Sequence, residues 1–167
     1  MAIRGRRRAS DLAERRRVVD VLDHRLRARA GVATRARITS RNNFPTGAGL
    51  ASSASGFAAL VTAGAAALGL TPSPRERSIY ARQGSGSAAR SVFGGFVEMH
   101  AGTAPDGLDS FAEPLLDAAA WPLEVVIAVT ATGEKEVGSS SGMTRSAASS
   151  PYYRAWVDGQ PADLATA

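Results

Sequence analysis

Hydrophobic positions in this chain fall into short stretches whose period changes along the sequence. Leu12, Val19, Leu22 and Leu26 share one stripe at helical spacing. They predict a helix from near Asp11, with Glu14 three residues on as a capping-box partner. Thr34 to Phe44 predicts a strand anchored by Ile38 and ended by Pro45. Helical periodicity runs longest from Leu50 to Leu68, with Phe57, Leu60, Val61 and Leu68 on the apolar face, Gly64 on the same stripe and Gly69 as the stop. Its other positions are mostly Ala, Ser and Gly, which lets neighbouring backbone come close. Thr71 to Pro74 opens a short helix to about Arg82, and Ala88 to Phe93 is a helical stretch broken by Gly94-Gly95. Phe96 to His100 and Leu108 to Leu115 read as a hairpin turning at Asp106-Gly107. Glu124 to Thr130 reads as a buried strand, Gly138 to Ser149 as a weak helix, and a further helix starts after Pro151. Hairpins set among helices, without alternating βαβ units, predict an α+β chain.

At 167 residues the chain is about one domain long. Residues 1–10 are expected to be disordered, 11–150 to form the main domain, and 151–167 to begin another. The absence of cysteine excludes disulfides and thiolate metal sites. With only His24 and His100, a His-rich metal centre is not expected. No run reaches the roughly 18 apolar residues of a membrane span and no signal peptide is visible, so a cytoplasmic protein without membrane contact is the default. The net charge of +5 is uneven, because residues 1–41 hold 13 Arg against 4 acidic residues. No aromatic residues interleave with those arginines to stack bases, so they read as a solvated helix face and not as a nucleic-acid arm.

Candidate chemistry lies in three runs of small residues. Asn43 to Gly56 reads as a loop passing straight into a helix, where backbone N–H groups and the helix dipole favour phosphate. Gly47 and Gly49 let a ligand approach the backbone, and Ser52, Ser53 and Ser55 can add hydroxyls. Gly84-Ser85-Gly86-Ser87-Ala88-Ala89-Arg90-Ser91 gathers three hydroxyls and one guanidinium suited to a bidentate phosphate contact. The third run is Gly138 to Gly142. It fits the hydrolase elbow pattern, but no histidine follows Ser140 to complete a triad. Gly47-Ala48-Gly49 fails the dinucleotide fingerprint, since Ser52 fills its third glycine position, and no Gly-Lys-Ser/Thr occurs for a nucleotide P-loop. His100 reads as structural or exposed, and Asp106, Asp109 and Asp117 as solvated. Lys135 lies in a glycine-containing loop where an ammonium could meet a nucleotide.

Together these segments resemble the diphosphomevalonate decarboxylase family, within the superfamily of galactokinase, homoserine, mevalonate and phosphomevalonate kinases. The resemblance rests on Asn43-Phe44-Pro45-Thr46 with Gly49 to Ala54, on Gly84 to Ser91 with Phe93-Gly94-Gly95-Phe96, on Asp106 to Ser110, and on Val137 to Met143. It implies a GHMP-kinase-type fold whose N-terminal half is like the second domain of ribosomal protein S5, here incomplete. It implies ATP-dependent decarboxylation of mevalonate 5-diphosphate to isopentenyl diphosphate, with Mg2+ accompanying ATP. By matching position, Pro45, Thr46, Gly47, Ala48, Gly49, Leu50, Ser52 and Ser53 would cradle the nucleotide phosphates, Ser53 nearest the transferred group. Lys135 would also hold the nucleotide. Ser85, Gly86, Ser87, Ala88, Ala89 and Arg90 would hold the substrate together with Ser139 and Ser140, and Arg90 would also face developing negative charge. A homodimer stays open. A related small-molecule kinase and a non-catalytic phosphate-binding remnant are the alternatives, and the Gly84–Ser91 block favours the decarboxylase. The family's Lys-Tyr-Trp-Gly-Lys-type and Asp-Ala-Gly-Pro-Asn-type segments do not occur in this sequence. The chain is therefore expected to be a fragment, inactive alone, with exposed strand edges and apolar surface.

Overall fold

A computed structural model of the chain describes residues 9–128 and 137–166. It separates into two compact units, residues 1–133 and 134–167. The boundary expected after residue 150 lies within the second unit.

The first unit begins with α1 (Ala9–Ala30). Ala9 and Ser10 lie within this helix, and the rest of the expected disordered stretch lies outside the described residues. Leu22 and Leu26 are buried as the stripe predicts. Helix α2 (Ser52–Ala67) follows. Its buried positions are Ala54, Ala58, Val61 and Ala65, while Phe57, Leu60 and Leu68 sit half-buried beside that stripe. The core face is thus narrower and smaller than the large apolar residues suggest. Small residues set how closely the helices meet. A Cβ at Gly84 would lie 2.5 Å from the Phe57 ring, and one at Gly64 would lie 2.9 Å from Leu26 Cδ1. At the C-terminus of α2, Gly69 has φ +67°, its N–H donates to the Ala66 carbonyl at 3.1 Å, and the Leu70 N–H donates to that of Ala65 at 2.9 Å.

Helix α3 (Pro74–Gly84) starts with a complete capping box: Glu76 N–H donates to Ser73 Oγ at 3.2 Å, and Ser73 N–H donates to Glu76 Oε2 at 2.8 Å. Arg29 reaches across from α1 to Glu76 Oε1 at 2.6 Å and to the Tyr80 hydroxyl at 3.0 Å. These contacts and the Ser73 N–H hold the Glu76 carboxyl below its ordinary range, the backbone donor contributing most. A 3-10 helix (Gly86–Val92) follows, then β1 (Phe96–Met99) and β2 (Ala112–Leu116), paired antiparallel with a bulge between Phe96 and Val97. Leu22, Val61, Ala81 and Ala88 form the centre of the core, packed by Phe57, Leu60, Tyr80 and Val92. The second unit holds α4 (Ser139–Ser149) and α5 (Tyr153–Thr166).

Three strand expectations differ from the structure. Residues 34–44 form no strand, and Ile38 is 44% exposed. Residues 122–128 likewise form none, and Val126 is 92% exposed; residues 129–130 lie outside the described residues. A strand needs a neighbour to take its N–H and C=O groups, and among the described residues the ladder consists of β1 and β2 alone. The third difference is the hairpin, whose second strand starts at Ala112 and not Leu108. Residues 100–111 instead form a long loop, with Asp106-Gly107 at a turn within it.

Two side chains of α3 fix this loop and the 3-10 helix. Ser78 is fully buried, donates through Oγ to the Ala89 carbonyl at 3.0 Å, and accepts from Ala112 N–H at 2.7 Å. Arg82 donates from Nε to the Ser110 carbonyl and from Nη2 to the Gly107 carbonyl, both at 3.0 Å. Ser78→Ala strands a buried carbonyl and a buried N–H at once. It is expected to cost about 2–4 kcal/mol, since each unsatisfied buried group costs roughly 1–3 kcal/mol. Chemical denaturation monitored by circular dichroism measures this; a loss below about 0.5 kcal/mol contradicts the bridge.

Candidate functional site

The first small-residue loop reaches α2 through three left-handed residues: Gly47 at φ +79°, Gly49 at +85° and Ala51 at +50°. Left-handed backbone is strained for alanine, and Ala51 is the N-cap of α2. No side chain caps that terminus, and no acidic residue occupies its first turn. The helix therefore presents uncompensated N–H groups and positive dipole to whatever lies in front of it.

What lies in front is a cavity of about 320 Å³. Its polar side is Ser40, Asn42, Thr46, Ser52 and Ser53, and its apolar side is Val19, Ile38, Phe57 and Leu60, with Gly56 between. Asn42 Nδ2 donates to Thr46 Oγ1 at 2.9 Å, closing a turn at the start of the loop. The second small-residue loop meets the first at the cavity rim. Ser53 Oγ lies 3.3 Å from Ser85 Oγ, which lies 3.3 Å from Ser87 Oγ. Three hydroxyls from two loops 32 residues apart in sequence thus form one hydrogen-bonded row.

The remaining expected site residues divide. Ser55 turns its hydroxyl back to the Ser52 carbonyl at 3.3 Å and is spent on the helix. Ala88 and Ala89 are fully buried, so only their backbone could serve a ligand. Gly86 and Arg90 are exposed on the 3-10 helix, and Arg90 makes no ion pair among the described residues. Pro45, Gly49 and Leu50 are exposed, while Ala48 is half-buried. Ser139 and Ser140 open α4 in the second unit, and Lys135 lies outside the described residues. Ser40 and Asn42 join the cavity without having been singled out from sequence, and Val19, Ile38, Phe57 and Leu60 had been read there only as apolar positions of the fold. Asn42 stands next to the Asn43-Phe44-Pro45 motif, which was its one available signal.

Asp109, expected to be solvated, instead organises the 100–111 loop. Its Oδ2 accepts from the N–H groups of Thr103 at 2.6 Å and Ala104 at 2.9 Å. These backbone donors, Thr103 first, hold its carboxyl below the ordinary range.

An uncapped helix, a glycine loop and a row of converging hydroxyls thus stand together in a fold of mixed helices and strands. The sequence model of the diphosphomevalonate decarboxylase-like N-terminal domain matches residues 2–112, and the chain belongs to that family. Diphosphomevalonate decarboxylase mvd1 of Aspergillus fumigatus is 52% identical over 118 residues, covering 70% of this chain and 29% of that protein. The Saccharomyces cerevisiae diphosphomevalonate decarboxylase is 47% identical over 122 residues, covering 72% and 31%. The chain thus spans about a third of the curated relatives it matches. Among solved structures, mevalonate diphosphate decarboxylase from Staphylococcus aureus superposes with TM-score 0.70 at 37% identity, over 95% of this chain and 46% of that one. The structure of MDDEF in complex with MVAPP, AMPPCP and magnesium gives 0.70 at 42%, over 89% and 45%. The fold is the GHMP-kinase fold of these decarboxylases, represented here by its N-terminal portion.

Acidification tests the Asp109 loop. A carboxylate whose folded pKa is depressed stabilises above its unfolded value of about 3.9, and that contribution is lost as pH falls through the folded pKa. Hydrogen-exchange protection of the Thr103 and Ala104 amides is expected to persist as pH falls past the ordinary carboxylate value of about 3.9 and to be lost only at lower pH. Asp109→Ala should remove it at every pH. Protection unchanged in that variant contradicts the assignment.

Proposed function

We propose that this chain supplies the phosphate-binding portion of an ATP-dependent decarboxylase that converts mevalonate 5-diphosphate to isopentenyl diphosphate. The observation that carries this reading is the convergence of the two small-residue loops, Ser53 against Ser85 at 3.3 Å, in front of an uncapped helix. Two phosphorylated reactants must lie side by side for one to receive a phosphoryl group from the other, and two adjoining phosphate loops suit that demand.

In this reading the backbone N–H groups from Gly47 to Ser53 hold the nucleotide phosphates, and the Ser53 hydroxyl contacts the transferred group. Ser85 and Ser87 hold the substrate diphosphate. Arg90, unpaired among the described residues, is free to swing onto that diphosphate and to oppose charge developing on the substrate. The sequence match to the decarboxylases and the neighbour bound to MVAPP and AMPPCP support these roles. For Mg2+ the described cavity lining offers hydroxyls and an amide but no carboxylate. Mg2+ is usually held by one or two carboxylates together with substrate phosphates, so no residue here is assigned to it. The same lack of a carboxylate makes binding, and not turnover, the proper readout for this chain.

Calorimetry with AMPPCP and Mg2+, then with mevalonate 5-diphosphate, tests the assignment. Gly49→Val cannot adopt φ +85° and would put bulk where phosphate approaches. It should weaken AMPPCP binding at least tenfold, with the far-UV helical signal retained. Arg90→Ala should weaken the diphosphate by about 1.5–3 kcal/mol, the range for a hydrogen bond to a charged group, and leave AMPPCP affinity unchanged. Wild-type affinities in both variants would sink the proposal.

A further inference from the structure

Antiparallel pairing of β1 and β2 sets Glu98 directly opposite Glu113. Like charges at directly opposed positions destabilise a ladder. Among the described residues neither carboxylate pairs with a Lys or Arg. What faces them is His100, two residues beyond Glu98 and so on the same side of the chain. Its Nε2 lies 2.8 Å from Glu113 Oε1, and its Nδ1 lies 4.0 Å from Glu98 Oε1. One ligand atom from each of the three side chains lies within 4.8 Å of the others.

The imidazole is held from several sides. His100 N–H donates to the Phe111 carbonyl at 2.9 Å, which extends the ladder by one residue. Its ring packs on Phe111 at 4.8 Å, and the other partner of that aromatic ring is the Arg75 guanidinium at 3.9 Å. The ladder itself anchors both glutamates. All three side chains are partly open to water, so an ion could reach them and keep solvent in its remaining positions.

We propose that Glu98, His100 and Glu113 bind one divalent transition-metal ion of the zinc class. The donor set decides the class: one imidazole nitrogen and two carboxylate oxygens suit zinc or cobalt, whereas Mg2+ prefers oxygen alone. Bonds of about 2.0–2.2 Å place tetrahedral ligand atoms roughly 3.4 Å apart. The three atoms therefore need shifts of about 1 Å, within the reach of glutamate rotamers on a fixed backbone. The ion relieves the opposed carboxylates, and the site ties β1 to β2 across two rungs of the ladder. This site is independent of the phosphate-binding reading, since none of its residues lines the cavity before α2.

Titration of the untagged 167-residue chain with Co2+ tests it, because cobalt in a protein site of low coordination number absorbs visible light far more strongly than the aqueous ion. One saturable site per chain is expected, displaced by Zn2+, with a rise in melting temperature as ion is added. The two histidines allow a clean control. His100→Ala and Glu113→Gln should each weaken binding by at least the roughly 10–100-fold that losing an outer-shell partner costs, and His24→Ala should change nothing. Glu113→Gln preserves shape, and circular dichroism establishes that it is folded. No saturable binding, retention of the site in Glu113→Gln, or its loss in His24→Ala overturns the proposal.

Discussion

One buried hydroxyl holds the first unit in register. Ser78 sits on α3, gives its proton to the carbonyl of Ala89 on the 3-10 helix, and takes the N–H of Ala112 at the start of β2. All three residues are almost wholly shielded from water. In such surroundings a hydrogen bond is stronger and an unmade one more costly than at the surface. The consequence reaches the converging small-residue loops, because the 3-10 helix carries Ser85 and Ser87 at its leading end. Much of the core is alanine, and alanines fill space without dictating angle. A directional polar bridge supplies the angular definition that large interlocking side chains provide in other cores.

The proposed phosphate site is made mostly of backbone. Glycine and serine runs contribute amide hydrogens and short hydroxyls, and the charged residues are few. That suits a ligand whose own charge is high, since a helix N-terminus without acidic residues attracts anions without presenting a competing counter-ion. Ala51 shows what the arrangement costs. A non-glycine residue is held left-handed at the cap of α2, which aims the first turn toward the cavity at the expense of local strain.

Helices were well legible in the sequence, and so were the small-residue loops between them. Proline at the start of α3, glycine after α2 and the period of α2 are local signals, and locally encoded features survive without the rest of a fold. Strands were less so. Ile38 and the Val125-Val126-Ile127 run have strand-like composition but lie exposed, because composition cannot supply the neighbour a strand requires. Convergence was also invisible. Nothing in the spacing of Ser53 and Ser85 announces that their hydroxyls meet, which depends on α2 and α3 packing around Gly84. Asp109 was misjudged for a related reason, since its partners are main-chain amides that carry no side-chain signature.

The contact at Gly84 has an evolutionary side. With a Cβ there only 2.5 Å from the Phe57 ring, almost any replacement requires a smaller residue at 57 or a retreat of α2 from α3. Retreat would pull Ser53 from Ser85. The two positions therefore cannot drift separately: a change at 84 is tolerated only in a background where 57 has already shrunk, and that background leaves a void of its own. Epistasis of this kind narrows the order in which mutations can accumulate, so Phe57 and Gly84 should be inherited as a pair even where the surrounding alanines and serines vary freely.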